Sequence, residues 1–346
     1  VFDKNIGGQN TTRIYTKSVN EMLNIYGLHR KGAFVMFNCR INKILIVVIG
    51  ICIIWGGTLG AGSLLGNTSP ESADIVIYSP PSKMDFCGEP TPLERASVAE
   101  SFEEAFLGVV YFHSRTILWL KRSARFFPYI EKKLKERGMP SDLKYILVAE
   151  SSFRHDAVSS ARAVGFWQFM EPTAKRIGLR VDKWIDERRN FERSTEAALN
   201  YLAELYSLFG SWTLATAAYN CGENRLRESI ETQGTRNYYD LKLPAETEMY
   251  IFRILAAKAL LCDPARYGYR LDVEQIYKPL SLATVDIILE DETLLVDIAG
   301  RFKTTYKEIR DLNPEIRLNS LPPGKYTIKV PSRKETLRMP RMEESD

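Results

Sequence analysis

The sequence predicts a mainly α-helical protein: an all-helical domain over residues 92–270, then a small βααβ module over residues 280–331. Three observations carry this prediction. Apolar residues recur at helical spacing from Pro92 onward, and Ser, Thr or Pro stands at segment starts with Gly at segment ends. From Leu280 the period changes, with alternating runs at Val285, Ile287 and Leu289 and at Tyr326, Ile328 and Val330 enclosing two short helical faces.

Phe102, Phe106, Val109, His113 and Ile117 share one helical face, and a second segment runs from Pro128 through Ile130 and Leu134 to Gly138. Ser141 or Asp142 then caps a helix in which Leu143, Ile146 and Leu147 form the apolar stripe, and Glu150 is the i+7 member of that set. Burial on such a stripe disfavours the charged carboxylate and raises its pKa, which is what a general acid requires. The alternative is a helix-end glutamate turned to solvent or paired with an arginine. Residues 159–170 are too rich in small residues for a long helix and are expected to form a loop over the site. Pro172–Arg176 restarts a helix that stops by Gly178. Residues 182–193 are strongly charged and expected to be exposed, although Trp184 needs a partner. Ser194 or Thr195 caps a helix ended by Gly210, Trp212–Asn220 is a short Ala-rich helix, and Pro244–Leu261 closes the domain.

In the second module Leu295, Ile298, Ala299 and Phe302 form one helical face, and Thr305 with Glu308 forms a capping box. Residues 332–346 are a polar tail.

Upstream of the helical domain, Ile44–Leu65 is uncharged and follows Arg40 and Lys43, so residues 36–66 read as an export signal or a membrane anchor. Residues 1–35 read as an upstream extension from an early start assignment, and residues 67–91, rich in Ser and Pro, as a linker. The chain of 346 residues is 45% hydrophobic and 26% charged, with a net charge of +4, too small to argue for nucleic acid. Cys87, Cys221 and Cys262 lack metal-ligand spacing, leave room for one disulfide, and give no reason to expect a metal or cofactor. Three histidines, with His155 alone near the proposed site, argue against a His-based centre.

A raised carboxyl group acting as general acid commonly works beside a second carboxyl group. Asp156, Glu171, Asp182, Asp186 and Glu187 are available beside Glu150, but their polar surroundings favour solvated or capping roles. Trp167 and Met170 read either as core or as wall of the site, Asn220 as a helix cap, Ser151 as a partner of the carboxylate or of the helix backbone, and Gly165 and Gly222 as turn residues.

Glu150-Ser151, Gly165-Phe166-Trp167-Gln168-Phe169-Met170 and Ala218-Tyr219-Asn220-Cys221-Gly222, in that order, resemble the signatures of lytic transglycosylases of the lysozyme-like superfamily. The Trp167 variant, together with Pro244–Tyr250, is most similar to the membrane-bound murein transglycosylase D type. The resemblance implies a lysozyme-like catalytic domain that cleaves the MurNAc–GlcNAc bond of peptidoglycan and leaves 1,6-anhydro ends. The substrate's N-acetyl group would replace a second carboxyl, and one glutamate would act as acid and then base. Carried onto this sequence, it implies Glu150 as acid/base, Ser159 and Gln168 as hydrogen-bonding groups near the N-acetyl and ring, Tyr219 turned to the carboxyl or intermediate, and Asn220 and Tyr250 beside the cleft. Asp291–Leu294, Leu312-Asn313-Pro314 and Leu321–Gly324 resemble the LysM peptidoglycan-binding module, although Glu290-Asp291 replaces the usual Gly-Asp. The expected partner is therefore a glycan strand, met in the periplasm or cell envelope by a monomer whose membrane contact is confined to its N-terminal segment. The module would tether the enzyme, so that deleting residues 280–346 costs wall binding and spares cleavage. A hydrolytic muramidase on the same fold and a non-catalytic wall-binding protein are the competing expectations.

Overall fold

The computed structural model describes residues 76–332. The expectations for residues 1–35 and 36–66, the first part of the 67–91 linker and nearly all of the 332–346 tail lie outside the described residues. Two helices pair first: α1 (Ala96–Val110) and α2 (His113–Glu136), separated by Tyr111 and Phe112. Then come α3 (Lys144–Ser151), α4 (Glu171–Arg176), α5 (Phe191–Phe209), α6 (Trp212–Cys221), α7 (Glu223–Gln233), α8 (Ala245–Glu248) and α9 (Tyr250–Cys262). Among the described residues no helix is long and apolar enough to cross a membrane.

α9 is the central member of this unit, packing on α1, α3 and α6, while α5 packs on α6. Its middle is Ile254, Leu255, Ala256 and Ala257, all fully buried. α3, Lys144–Ser151, is short but nearly all core: Tyr145, Ile146, Leu147 and Val148 are buried. It ends because Ser152 and Phe153 both take left-handed backbone, at φ 53° and 63°. Phe153 is then buried and stacks on Phe126, which holds the chain in that sparsely populated conformation.

Several sequence boundaries shift for identifiable reasons. Pro128 lies inside α2 rather than at a helix start, so one intrahelical bond is missing there while α2 runs on to Glu136. The charged stretch 182–193 is partly core: Asp186 and Arg188 are 3% and 6% exposed, because their charges satisfy one another. α5 begins at Phe191, capped by Asn190, which accepts the Arg193 N–H; Ser194 and Thr195 are buried within it. The segment expected to run from Pro244 is divided at Met249 into α8 and α9.

Residues 84–91 are not a loose linker. Asp85–Phe86 (β1) pairs antiparallel with Glu89–Pro90 (β2), and Phe86 is fully buried. Glu89 accepts the backbone N–H groups of Trp212 and Thr213, so this hairpin caps α6.

The C-terminal module has the expected βααβ order. β3 (Leu282–Leu289) pairs antiparallel with β6 (Gly324–Pro331), in a register running from Leu282↔Pro331 to Leu289↔Gly324. Between them lie β4 (Thr293–Leu294), α10 (Leu295–Arg301), α11 (Tyr306–Leu312) and β5 (Ser320–Leu321), which pairs with β4. Thr305 caps α11 by accepting the Glu308 N–H. The small core of Leu295, Ile298, Ile309, Leu321, Ile328 and Val330 also includes Ile185, which comes from the helical domain.

Candidate active site

Glu150 sits in the last turn of α3, on the wall of an open cavity of about 590 Å³. Arg115, Leu118 and Arg122 of α2 line it together with Ser152, Arg154, Ala157, Ser159 and Gln168. Among the described residues lining it, Glu150 is the one carboxylate.

The carboxyl group is pushed up to about 7, chiefly because burial strips water from the anion. Its position at the C-terminal end of a helix works the same way, since the helix dipole disfavours negative charge there. Glu246 adds to the rise, while the Tyr250 hydroxyl, donating to Glu150 Oε1, and Arg253 oppose it. Tyr250 is itself buried at the start of α9, and its phenol is raised well above its usual range by burial and by Glu150. A carboxyl group balanced in this way holds its proton near neutrality and has a donor in place once that proton leaves.

The loop that also lines the cavity carries Gln168, in left-handed backbone at φ 52°. Its Nε2 donates to the carbonyls of Gly165 (2.8 Å) and Ala157 (3.1 Å), which leaves the side-chain oxygen as its remaining acceptor. Gly165 has φ 85°, and a Cβ there would lie 1.9 Å from the Arg188 carbonyl oxygen, so the backbones approach as only glycine permits. Ser159 lines the cavity with its hydroxyl accepting the Ala163 N–H at 2.9 Å.

Other residues singled out from the sequence take structural places. The Tyr219 hydroxyl donates to the Trp167 carbonyl at 2.7 Å rather than to the carboxyl, although Tyr219 lies close enough for Glu150 to raise its phenol. Trp167 is completely buried, its indole N–H donating to Thr195 Oγ1 at 3.0 Å, so its side chain is core and its carbonyl anchors Tyr219. Met170 is an exposed residue capping α4 and does not line the cavity. Ser151 bonds the helix carbonyl of Leu147 and the Arg154 N–H, not the carboxyl. Asn220 caps nothing; its Oδ1 accepts the Thr247 hydroxyl at 2.7 Å, tying α6 to α8. His155 lies against Phe166, outside the cavity.

None of the alternative carboxylates lines the cavity, and each has a partner. Asp156 pairs with Arg154, Glu171 with Lys175, Asp186 with Arg188 and Glu187 with Arg193, while Asp182 accepts the Trp184 and Ile185 N–H groups. Among the described residues no group of three or more His, Cys, Asp or Glu is arranged to hold a metal.

Sequence reasoning missed the cationic rim. Arg115, Arg122 and Arg154 line the Glu150 cavity; Arg154 is paired with Asp156, so Arg115 and Arg122, bonded to the Gly108 and Ser152 carbonyls, carry the net positive charge of the rim. Arg115 and Arg122 lie seven apart on α2 and so share a face, a signal hidden by the many other basic residues of that helix.

Residues 127–242 match the family model described as the transglycosylase SLT domain. This segment is an SLT domain. It holds Glu150, Gln168 and Tyr219, whereas Tyr250 lies beyond its end. The chain is 34% identical over 183 residues to membrane-bound lytic murein transglycosylase D of Escherichia coli strain K12, an alignment covering 51% of this chain and 40% of that protein. It is 39% identical over 99 residues to the peptidoglycan transglycosylase gp16 of Escherichia phage T7, covering 28% and 8% of the two chains. The chain thus spans well under half the length of these relatives. The crystal structure of the 70 kDa soluble lytic transglycosylase from Escherichia coli matches 49% of this chain and 30% of its own, at 22% identity and a TM-score of 0.36.

Proposed function

We propose that this chain is a peptidoglycan lytic transglycosylase of the cell envelope, with Glu150 as the single group that donates and then recovers the proton. The observation that carries this reading is a carboxyl group raised to about 7 on the wall of an arginine-rimmed cavity, with no other carboxylate among the described lining residues. The SLT domain match and the relatives' names supply the substrate class.

The neutral carboxyl protonates the oxygen leaving from the anomeric carbon of MurNAc, and the positive character that develops there is met by the substrate's own N-acetyl group. Ser159 and Gln168 line the same cavity as Glu150 and would orient that amide, Gln168 through the oxygen left unused by its two N–H donations. Tyr250 then stabilises the carboxylate until it takes a proton from the muramyl C6 hydroxyl, whose oxygen closes the 1,6-anhydro ring. A hydrolytic route would need a second carboxylate to activate water; none of the five candidates lines the cavity, and Asp156 is held by Arg154 at its rim. The βααβ module, by its resemblance to LysM, would bind glycan.

The test is release of soluble fragments from purified sacculi by the wild-type chain and by Glu150→Gln at equal concentration. The proposal expects release by the wild type and none above background by the variant, with sacculus binding retained. Equal release by both would reject it.

A further inference from the structure

The βααβ module meets the SLT domain at residues 184–192 among other contacts, and that segment holds the loop that shares the cavity with Glu150. Ile185 belongs to the module's own core, and Trp184 packs against it, which supplies the partner this tryptophan lacked in the sequence. Ile185 bridges Ile316 in antiparallel fashion, with Asp186 N–H donating to the Glu315 carbonyl and Arg317 N–H to the Trp184 carbonyl, each at 2.8 Å. Glu315 is 7% exposed, and its Oε1 accepts from the side chain of Asn190, the residue that caps α5. Lys329 of β6 pairs with Glu192 on the first turn of the same helix.

The residues next to this seam face the other way. Asp186 receives both Nε and Nη2 of Arg188, at 2.8 Å each, and Arg188 Nη1 donates to the Phe169 carbonyl at 3.2 Å. The Arg188 carbonyl is the atom against which Gly165 is packed. Gly165 and Phe169 bracket Gln168, and Gln168 is bonded to Gly165 and to Ala157 across the cavity wall.

We infer that the module positions the active-site loop: docking of residues 315–317 on residues 184–186 fixes Asp186 and Arg188, and these hold residues 165–169 so that Gln168 stays on the wall of the Glu150 cavity. Asp186 and Arg188 are positioning residues, and the module is a brace for the site. The kinetic consequence rests on the transglycosylase reading; the structural coupling does not. A tether raises the local concentration of insoluble wall and leaves turnover of a small soluble substrate untouched, whereas a brace changes that turnover.

The experiment uses the full chain and two variants, Ile316→Glu, which puts a charge into the seam, and Arg317→Ala, which removes an exposed side chain bonded to the Asp182 carbonyl. Hydrogen exchange is read at residues 157–170 and, as internal control, at α9, alongside kcat and KM on a soluble glycan fragment of a few disaccharides. The inference expects faster exchange at 157–170 in both variants with α9 unchanged, and a kcat loss of about tenfold for Ile316→Glu, smaller for Arg317→Ala, with KM moving less. If Ile316→Glu also loosens α9, the milder Arg317→Ala decides. Unchanged exchange at 157–170 with unchanged kcat overturns the inference. A wild-type chain inactive on any glycan would reject the proposed function and leave the exchange measurement to decide the coupling.

Discussion

Glu150 is raised from an ordinary 4.5 to about 7 because the fold places it where its anion is poorly solvated. Between those pH values the native chain keeps a proton that the unfolded chain has released, so this group makes stability fall as pH rises through the window and become flat above it. Replacing it with Gln is therefore expected to cost activity by roughly a hundredfold or more. The same substitution is expected to stabilise the fold at pH 8 by up to about 3 kcal/mol, since each pKa unit is worth about 1.4 kcal/mol. Thermal melts of both proteins at pH 4 and pH 8 check this; an equal difference at both would contradict the burial argument. Tyr250→Phe removes the hydrogen bond that favours the carboxylate, so the alkaline limb of activity is expected to move to higher pH, with kcat falling about tenfold, read from a pH–rate profile. The place of Glu150 on the apolar stripe was legible from spacing, but spacing alone left open a carboxylate turned to solvent, which the structure replaces with a buried one. Tyr219 and Trp167 were singled out by sequence, but the structure gives them supporting places, Trp167 in the core and Tyr219 bonded to its carbonyl: which oxygen a phenol reaches depends on how two distant helices pack.

At the scale of elements, periodicity located the helices, and tertiary contacts decided where they begin. Nothing in Asp182–Arg193 announces that Asp186 and Arg188 will satisfy each other in the interior, and without that pairing the segment reads as surface. The loop over the site was visible in its small residues, and Gly165 shows why they are needed. Gly165→Ala would drive a Cβ into the Arg188 carbonyl at a φ that alanine avoids. It is expected to destabilise the chain by about 2 kcal/mol or more, and to lower activity further than stability by displacing Gln168. Chemical denaturation beside kcat separates the two; wild-type values for both would show that the close approach does not matter.

Over the whole molecule, the sequence supplied a helical domain followed by a βααβ module but not the seam between them. Ile185 and Trp184 look like ordinary loop residues until Ile316, more than a hundred positions later, is set against them. The module then ceases to be a separate attachment, and the expectation that deleting residues 280–346 spares cleavage is replaced by one in which deletion exposes Ile185 and frees the 186–190 segment. Arg115 and Arg122 of the rim, and the whole module, lie outside the residues matched to the SLT family model. All of this depends on one carboxyl group acting without a second. The mass of the new chain ends, measured on muropeptides released from purified sacculi at neutral pH, tests that most directly. The account predicts 1,6-anhydro ends, one water lighter than reducing ends, and none from Glu150→Gln; reducing ends of full mass from the wild type would contradict it.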